Sequence, residues 1–198
     1  MNLRLLPIYG IAAGFGLFAV ASSLYPGGTG LDPDSVGYSW SHNFISALFA
    51  PEALNGEANP GRPFAVAALL LWCLSLGVSF KRISDQPRSR GHRKLIEIAG
   101  IGAAVYAALV ATPMHDLMVR IGLVFSLTAL LTTVHFQYTA RAWKLAAWGV
   151  LSLGLSVLSA TLYLTGSTYE FMPVIQKANV LSVVLWILFS GYADLGSD

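Results

Sequence analysis

Charge is scarce in this chain. Only 11% of its 198 residues are Asp, Glu, Lys or Arg, against about 25% in an average soluble domain. So few charges could not cover the surface of a soluble domain, whereas a bilayer protein does not need them. The formal net charge is +2, too small for the basic footprint of a nucleic-acid binder. Cysteine occurs once, as Cys73. That excludes an intrachain disulfide and reads as a small apolar filler. Histidine occurs four times, never in an HxxxH or HExxH spacing, so nothing local demands a metal. No run alternates as a membrane barrel strand would. Internal repeats, low-complexity tracts and a second domain are also absent.

What is abundant is apolar sequence, 55% of residues, with a mean hydropathy of +0.63. A transmembrane helix needs about 20 mostly apolar residues. Six runs qualify, at about 5–25, 63–80, 95–112, 117–138, 145–165 and 173–192. Backbone polar groups cannot go unpaired in lipid, so each run is predicted to be helical. Pro26, Pro113 and Gly166 close runs, and Pro63 opens one where its missing N–H costs little. The first run, with Arg4 before it and Ala21-Ser22-Ser23 near its end, has some look of a signal peptide. It is longer than a signal core of roughly 7–15 residues, so a retained helix is expected. The expected fold is therefore all-α, one domain, a polytopic bundle of six transmembrane helices.

Lys and Arg in the loops set the orientation. With six spans, nine of the twelve share one side: Arg4, Lys81, Arg82, Arg88, Arg90, Arg93, Lys94, Arg141 and Lys144. The other side has Arg62, Arg120 and Lys177, with Asp32, Asp34, Glu52, Glu57, Asp116 and Glu170. The expectation is a multi-pass cell-membrane protein with both termini cytoplasmic, as in a bacterial inner membrane. The basic side also suits anionic lipid headgroups, and His92 lies among its cations. Small residues at spacing four (Gly10 and Gly14, Ala99 and Ala103, Ser152, Ser156 and Ala160) predict close helix packing.

The longest polar-enriched interruption is Ser39 to Pro63, on the outer side. Trp40, Phe44, Ile45, Leu48 and Phe49 recur at helical spacing there, which predicts a short amphipathic helix at the interface. The outer side gathers Tyr38, Trp40, His42, Asn43, Ser46 and Glu52 from the first loop. The third-to-fourth turn adds His115 and Asp116. The fifth-to-sixth connection adds Tyr169 and Glu170, and the sixth helix opens with Lys177 and Asn179. Asp116 suits the N-terminus of the fourth helix, with Arg120 four residues on as its natural ion-pair partner. His135 lies roughly 30 Å from His115 along that helix. Glu97 shares its depth, so a His135–Glu97 contact or an Arg93–Glu97 pair is expected.

The segment His42-Asn43-Phe44-Ile45-Ser46, then Pro51-Glu52, Asn59-Pro60 and the His115-Asp116 turn carry a resemblance. In order and topology the chain resembles the six-helix bacterial membrane family described as domain of unknown function 998. More distantly it is similar to the damage-regulated autophagy modulator group. The resemblance implies a six-helix membrane fold more than an activity.

The preferred functional reading is a non-enzymatic membrane protein that binds a lipid or a membrane-protein partner through its outer loop and helix grooves. It could serve as an accessory subunit or a homo-oligomer. The expected contact residues are Tyr38, Trp40, His42, Asn43, Ser46, His115, Asp116 and Glu170. No metal, cofactor or nucleic acid is expected. The alternative is a membrane-embedded lipid hydrolase or transferase, with or without a metal, whose catalytic candidates are His42, His115 and Asp116. Two histidines and a carboxylate can ligate a metal, or act as a base with an orienting acid. A transporter is disfavoured, since few ionisable groups lie at mid-membrane and no pair of broken helices is evident.

Overall fold

A computed structural model describes residues 3–166 and 170–195. Among them are six α-helices: α1 (Leu6–Ser23), α2 (Arg62–Ser84), α3 (Arg90–Leu109), α4 (His115–Thr139), α5 (Trp143–Thr165) and α6 (Met172–Ser190). Proline sits in the first turn of α1, α2 and α6 (Pro7, Pro63 and Pro173), where no intrahelical donor is lost. Gly166 ends α5 in the left-handed conformation. All helices but α3 are long and apolar enough to cross a membrane, five in number. The chain is thus a multi-pass helical membrane protein. α3 falls short because its first two turns carry Arg90, Arg93, Lys94 and Glu97.

Sequential helices pack as neighbours, and α6 closes the arrangement against α2. Close approach at the α1–α2 seam requires glycine. A Cβ on Gly14 would lie 2.3 Å from the Trp72 ring, and one on Gly10 would lie 2.2 Å from Ser75 Oγ. The Trp72 indole uses that proximity to donate to the Ile11 carbonyl at 3.0 Å. On α5, Ser152 and Ser156 face α6. Ser152 Oγ meets Ser182 Oγ at 2.8 Å, and Ser156 Oγ donates to Asn179 Oδ1 at 2.8 Å. The small residues thus bring helices together, as their spacing predicts.

The bundle has a basic end and a cap end. At the basic end Arg82 donates to the Arg4 carbonyl at 2.9 Å, and Gln86 donates to the Ser190 carbonyl at 3.2 Å. The start of α1 and the ends of α2 and α6 therefore lie together. Trp186 fills the core there, fully buried beside Ile83, Ile96, Leu130 and Ile187. Its indole N–H donates to the Leu145 carbonyl at 2.9 Å and to Gln137 Oε1 at 3.2 Å. A second core at the opposite end joins Phe18, Ala21, Ala65, Ala68, Trp72, Val184 and Leu188 to the 24–61 segment, which forms the cap.

Two expectations are corrected near the basic end. Glu97 contacts neither His135 nor Arg93. Its partner is Lys81 at 3.5 Å, and Lys81 also pairs with Asp85 at 2.6 Å. Arg93 turns to Asp85 instead, at 3.6 Å. His135 meets His92, with Nε2 of His92 2.8 Å from Nδ1 of His135. The ring planes are within 10° and the centroids 5.0 Å apart. With the nitrogens that close, the rings lie edge to edge in nearly one plane and share an N–H···N bond.

Candidate functional site

The cap is organised by two buried asparagines. Asn43 is fully buried. Its Oδ1 accepts from the Ser39 N–H at 2.8 Å, and its Nδ2 donates to the Gly28 carbonyl at 2.8 Å. Asn59 donates through Nδ2 to the carbonyls of Leu48 and Ala50, each at 3.1 Å, and its Oδ1 accepts from the Gly61 N–H at 3.0 Å. Side-chain amides supply donors and acceptors together, so each stitches strands of irregular chain that have no ladder of their own. Among the described residues of the cap, β-pairing is limited to single antiparallel bridges, Gly27 with Val36 and Glu52 with Ala58, and turn bonds make up the rest of its backbone pairing. Gly28 has φ +84, and a Cβ there would meet the Asn55 nitrogen at 2.4 Å.

Bonds from two helices, and one within the cap itself, fasten it. Two residues beyond α1 and within the cap, the Tyr25 hydroxyl accepts from the Leu54 N–H at 3.0 Å. From α2, Arg62 Nε donates to the Phe49 carbonyl at 2.9 Å. From α6, Gln176 Oε1 accepts from the Ile45 N–H at 2.9 Å, and Lys177 Nζ donates to the Asn43 carbonyl. Lys177 Nζ also reaches the Pro173 carbonyl at 3.3 Å and lies 5.5 Å from the centre of the Tyr38 ring. Among the described residues, no carboxylate is within ion-pair distance of it. Carbonyl oxygens and an aromatic face hold this cation instead.

The predicted interfacial helix is shorter than expected. Only Ile45–Phe49 is helical, as a 3-10 turn. Asn43 captures the Ser39 N–H, and Phe44 is extended at ψ 152, so no α-helix can run through them. Leu48 and Phe49 point into the core and away from the surroundings. Ser46 is half-buried within the turn. Tyr25, Tyr38 and Trp40 form a ladder of edge-to-face rings, with centroids 5.7 Å and then 5.2 Å apart, leading from core to surface. Burial raises the Tyr38 phenol's pKa well above its ordinary value, and the field of Tyr25 adds to the rise. Burial also raises that of Tyr25, with the Leu54 hydrogen bond opposing it.

The two histidines at the cap end, His42 and His115, take separate partners. His42 Nδ1 is held by Ser41 Oγ at 2.8 Å and Ser39 Oγ at 3.1 Å. His115 Nδ1 lies 2.9 Å from Asp116 Oδ1, and the Tyr163 hydroxyl donates to the same oxygen at 2.9 Å. A carboxylate only accepts, so Nδ1 carries the proton and Nε2 of neutral His115 is left as a base. Arg120 acts on Asp116 at longer range, without the expected ion pair. Among the described residues, no group of three or more His, Cys, Asp and Glu side chains is gathered closely enough to hold a metal ion. Glu170 is exposed on the turn before α6, and Tyr169 lies outside the described residues. No family model, curated protein or solved structure matches the chain.

Sequence reasoning missed Asn59, Tyr25, Gln176 and Tyr163 as working parts. Asn59 stands before a proline, a turn signal that says nothing of burial. Gln176, one turn into an apolar helix, was the readable clue, because an amide at such depth needs a partner.

Five large apolar side chains of the cap are exposed, the most open being Val36 (95% exposed), Trp40 (58%), Leu31 (57%) and Leu54 (50%), with Leu24 at its start. The cap thus turns its amides inward and presents apolar groups outward.

Proposed function

We propose that this chain is a binding protein of the cell membrane with six spans, both termini on the cytoplasmic side and the cap on the outer face. Its cap docks a membrane lipid or a membrane-protein partner, as an accessory subunit would. Inclusion of α3 as a span rests on its packing between α2 and α4. The orientation rests on the nine cations of the basic end, and the resemblance to six-helix families belongs to the same reading. One observation carries the binding function. A cap fastened by α2 and α6 leaves Leu31, Val36, Trp40 and Leu54 bare, and preorganised apolar side chains lower the ordering cost of association. Trp40 above Tyr38 and Lys177 also suits the headgroup level of a bilayer.

A photo-crosslinking residue at position 36 or 40, in the full chain within native membranes, tests this. Adducts to lipid or to a membrane protein are expected, and their loss on Trp40→Ser at the position-36 probe ties them to this surface. Probes that capture only water would refute it.

The hydrolase or transferase reading has one observation in its favour, the His115–Asp116–Tyr163 chain of hydrogen bonds. Turnover of a lipid ester or amide by the purified protein, abolished by Asp116→Asn, would replace the binding proposal with that reading.

A further inference from the structure

Between α2 and α3 runs an outward-facing groove of about 350 Å³. Leu70, Cys73, Leu74, Gly77, Val78 and Lys81 line one wall, and Ile101, Ala104, Val105 and Ala108 the other. We infer that this groove binds one acyl chain of an anionic phospholipid whose phosphate sits at Lys81. The inference deepens the lipid side of the binding proposal, at a site separate from the cap.

Geometry and charge both point to that occupant. Leu70 to Lys81 is eleven residues of helix, about 16 Å at 1.5 Å per residue. That matches half of a hydrocarbon core about 30 Å thick, the depth of one acyl chain from headgroup to midplane. All lining side chains but Lys81 are apolar or small, so the groove offers an acyl chain contact without unpaired polar groups. The floor is shallow because Gly77 and Ala104 meet there. A Cβ on Gly77 would touch only the Ala104 Cβ, at 3.9 Å.

Lys81 stands at the mouth, on the basic end. Asp85 at 2.6 Å and Glu97 at 3.5 Å fix its ammonium there from α2 and α3. Those take two of its three N–H donors and leave one for a phosphate oxygen. From Lys81 to Glu97 the sequence has six cations, Lys81, Arg82, Arg88, Arg90, Arg93 and Lys94, against Asp85 and Glu97. The local excess of positive charge selects an anionic headgroup over a zwitterionic one.

The test uses the full chain in mild detergent, titrated with phosphatidylglycerol or phosphatidylcholine and read by native mass spectrometry. One phosphatidylglycerol retained in preference to phosphatidylcholine is expected. Lys81→Gln should keep chain binding and cut the preference about fivefold, the effect of one lysine near a lipid surface. Gly77→Leu places its Cβ no nearer than 3.9 Å to a neighbour, fills the floor and should abolish retention of both lipids. Its unchanged thermal unfolding would show that the fold is intact. Retention by Gly77→Leu at the wild-type level, equal retention of the two lipids, or a wild-type dimer that Gly77→Leu dissociates would overturn the inference. The last result would make the groove an interface between copies. Trp40→Ser must leave this retention unchanged, so failure of the cap reading and failure of this one are separable.

Discussion

Asn43→Ala should open the cap without unfolding the bundle. The side chain is fully buried, and water cannot take its place without local opening. Truncation strands the Ser39 N–H and the Gly28 carbonyl, which now share its amide at 2.8 Å each. An unpaired buried group costs about 1–3 kcal/mol, so the two together cost about 3 kcal/mol after discounting the half-buried Ser39. The Asn43 backbone carbonyl still accepts from the Lys177 and Tyr38 side chains, so the penalty falls on the loop and not on α6. Hydrogen exchange measures it. Amides in residues 26–44 should exchange on the order of a hundredfold faster, while those of α2 and α4 keep their protection. Asn43→Asp is the control. It keeps the acceptor for Ser39 but points an acceptor at the Gly28 carbonyl, so it should do at least as much damage. If both variants exchange like the wild type in residues 26–44, the asparagine does not hold the cap.

Gly14→Val should lower thermal stability in detergent by about 1–3 kcal/mol, because a Cβ there sits 2.3 Å from the Trp72 ring and overpacks the α1–α2 seam. Gln137→Leu, by contrast, should cost less than about 1 kcal/mol in the same assay. Trp186 keeps the Leu145 carbonyl and Ser190 keeps the Trp186 carbonyl, and side-chain bonds in membrane proteins average about 0.6 kcal/mol. Alkali should loosen the cap. The unfolded Tyr38 ionises near its ordinary pKa of 10.0 while the buried phenol stays neutral, so cap stability is complete below that pH and falls as pH rises beyond it. Tyr38→Phe should flatten the rise in cap hydrogen exchange after correction for intrinsic rates, and an unaltered pH profile would count against the burial argument.

The helices were legible because lipid leaves the backbone no alternative. Their ends were not. The apolar run stops at Phe80, yet α2 continues to Ser84, and α3 begins at Arg90 ahead of the run at Leu95. Intrahelical hydrogen bonding does not stop where the hydrocarbon does, and Lys and Arg in a last or first turn can reach the interface. The cap misled for a different reason. Trp40, Phe44 and Phe49 imitate helical spacing, but an asparagine side chain bound to the backbone competes with a helix, and Asn43 does so here. Asn43 and Lys177 were readable as polar residues on the outer side. Their pairing was not, because nothing local links positions so far apart in the chain. His92 and His135 hid in the same way, on different helices: His92 read only as one residue among the basic-side cations, and His135 as a contact of Glu97.

The reach of Lys177 and Gln176 across the chain also fixes an order of assembly. They bond Asn43 and Ile45 over separations of 134 and 131 residues. The cap is synthesised within the first third of the protein, but its fastenings on α6 exist only once the last helix is in place. Until then, the Ile45 N–H and the Asn43 carbonyl of a nascent chain lack their partners on α6. Closure of the cap therefore reports completion. A chain cut short before α6 lacks both of these latches and keeps only the Arg62 bond from α2.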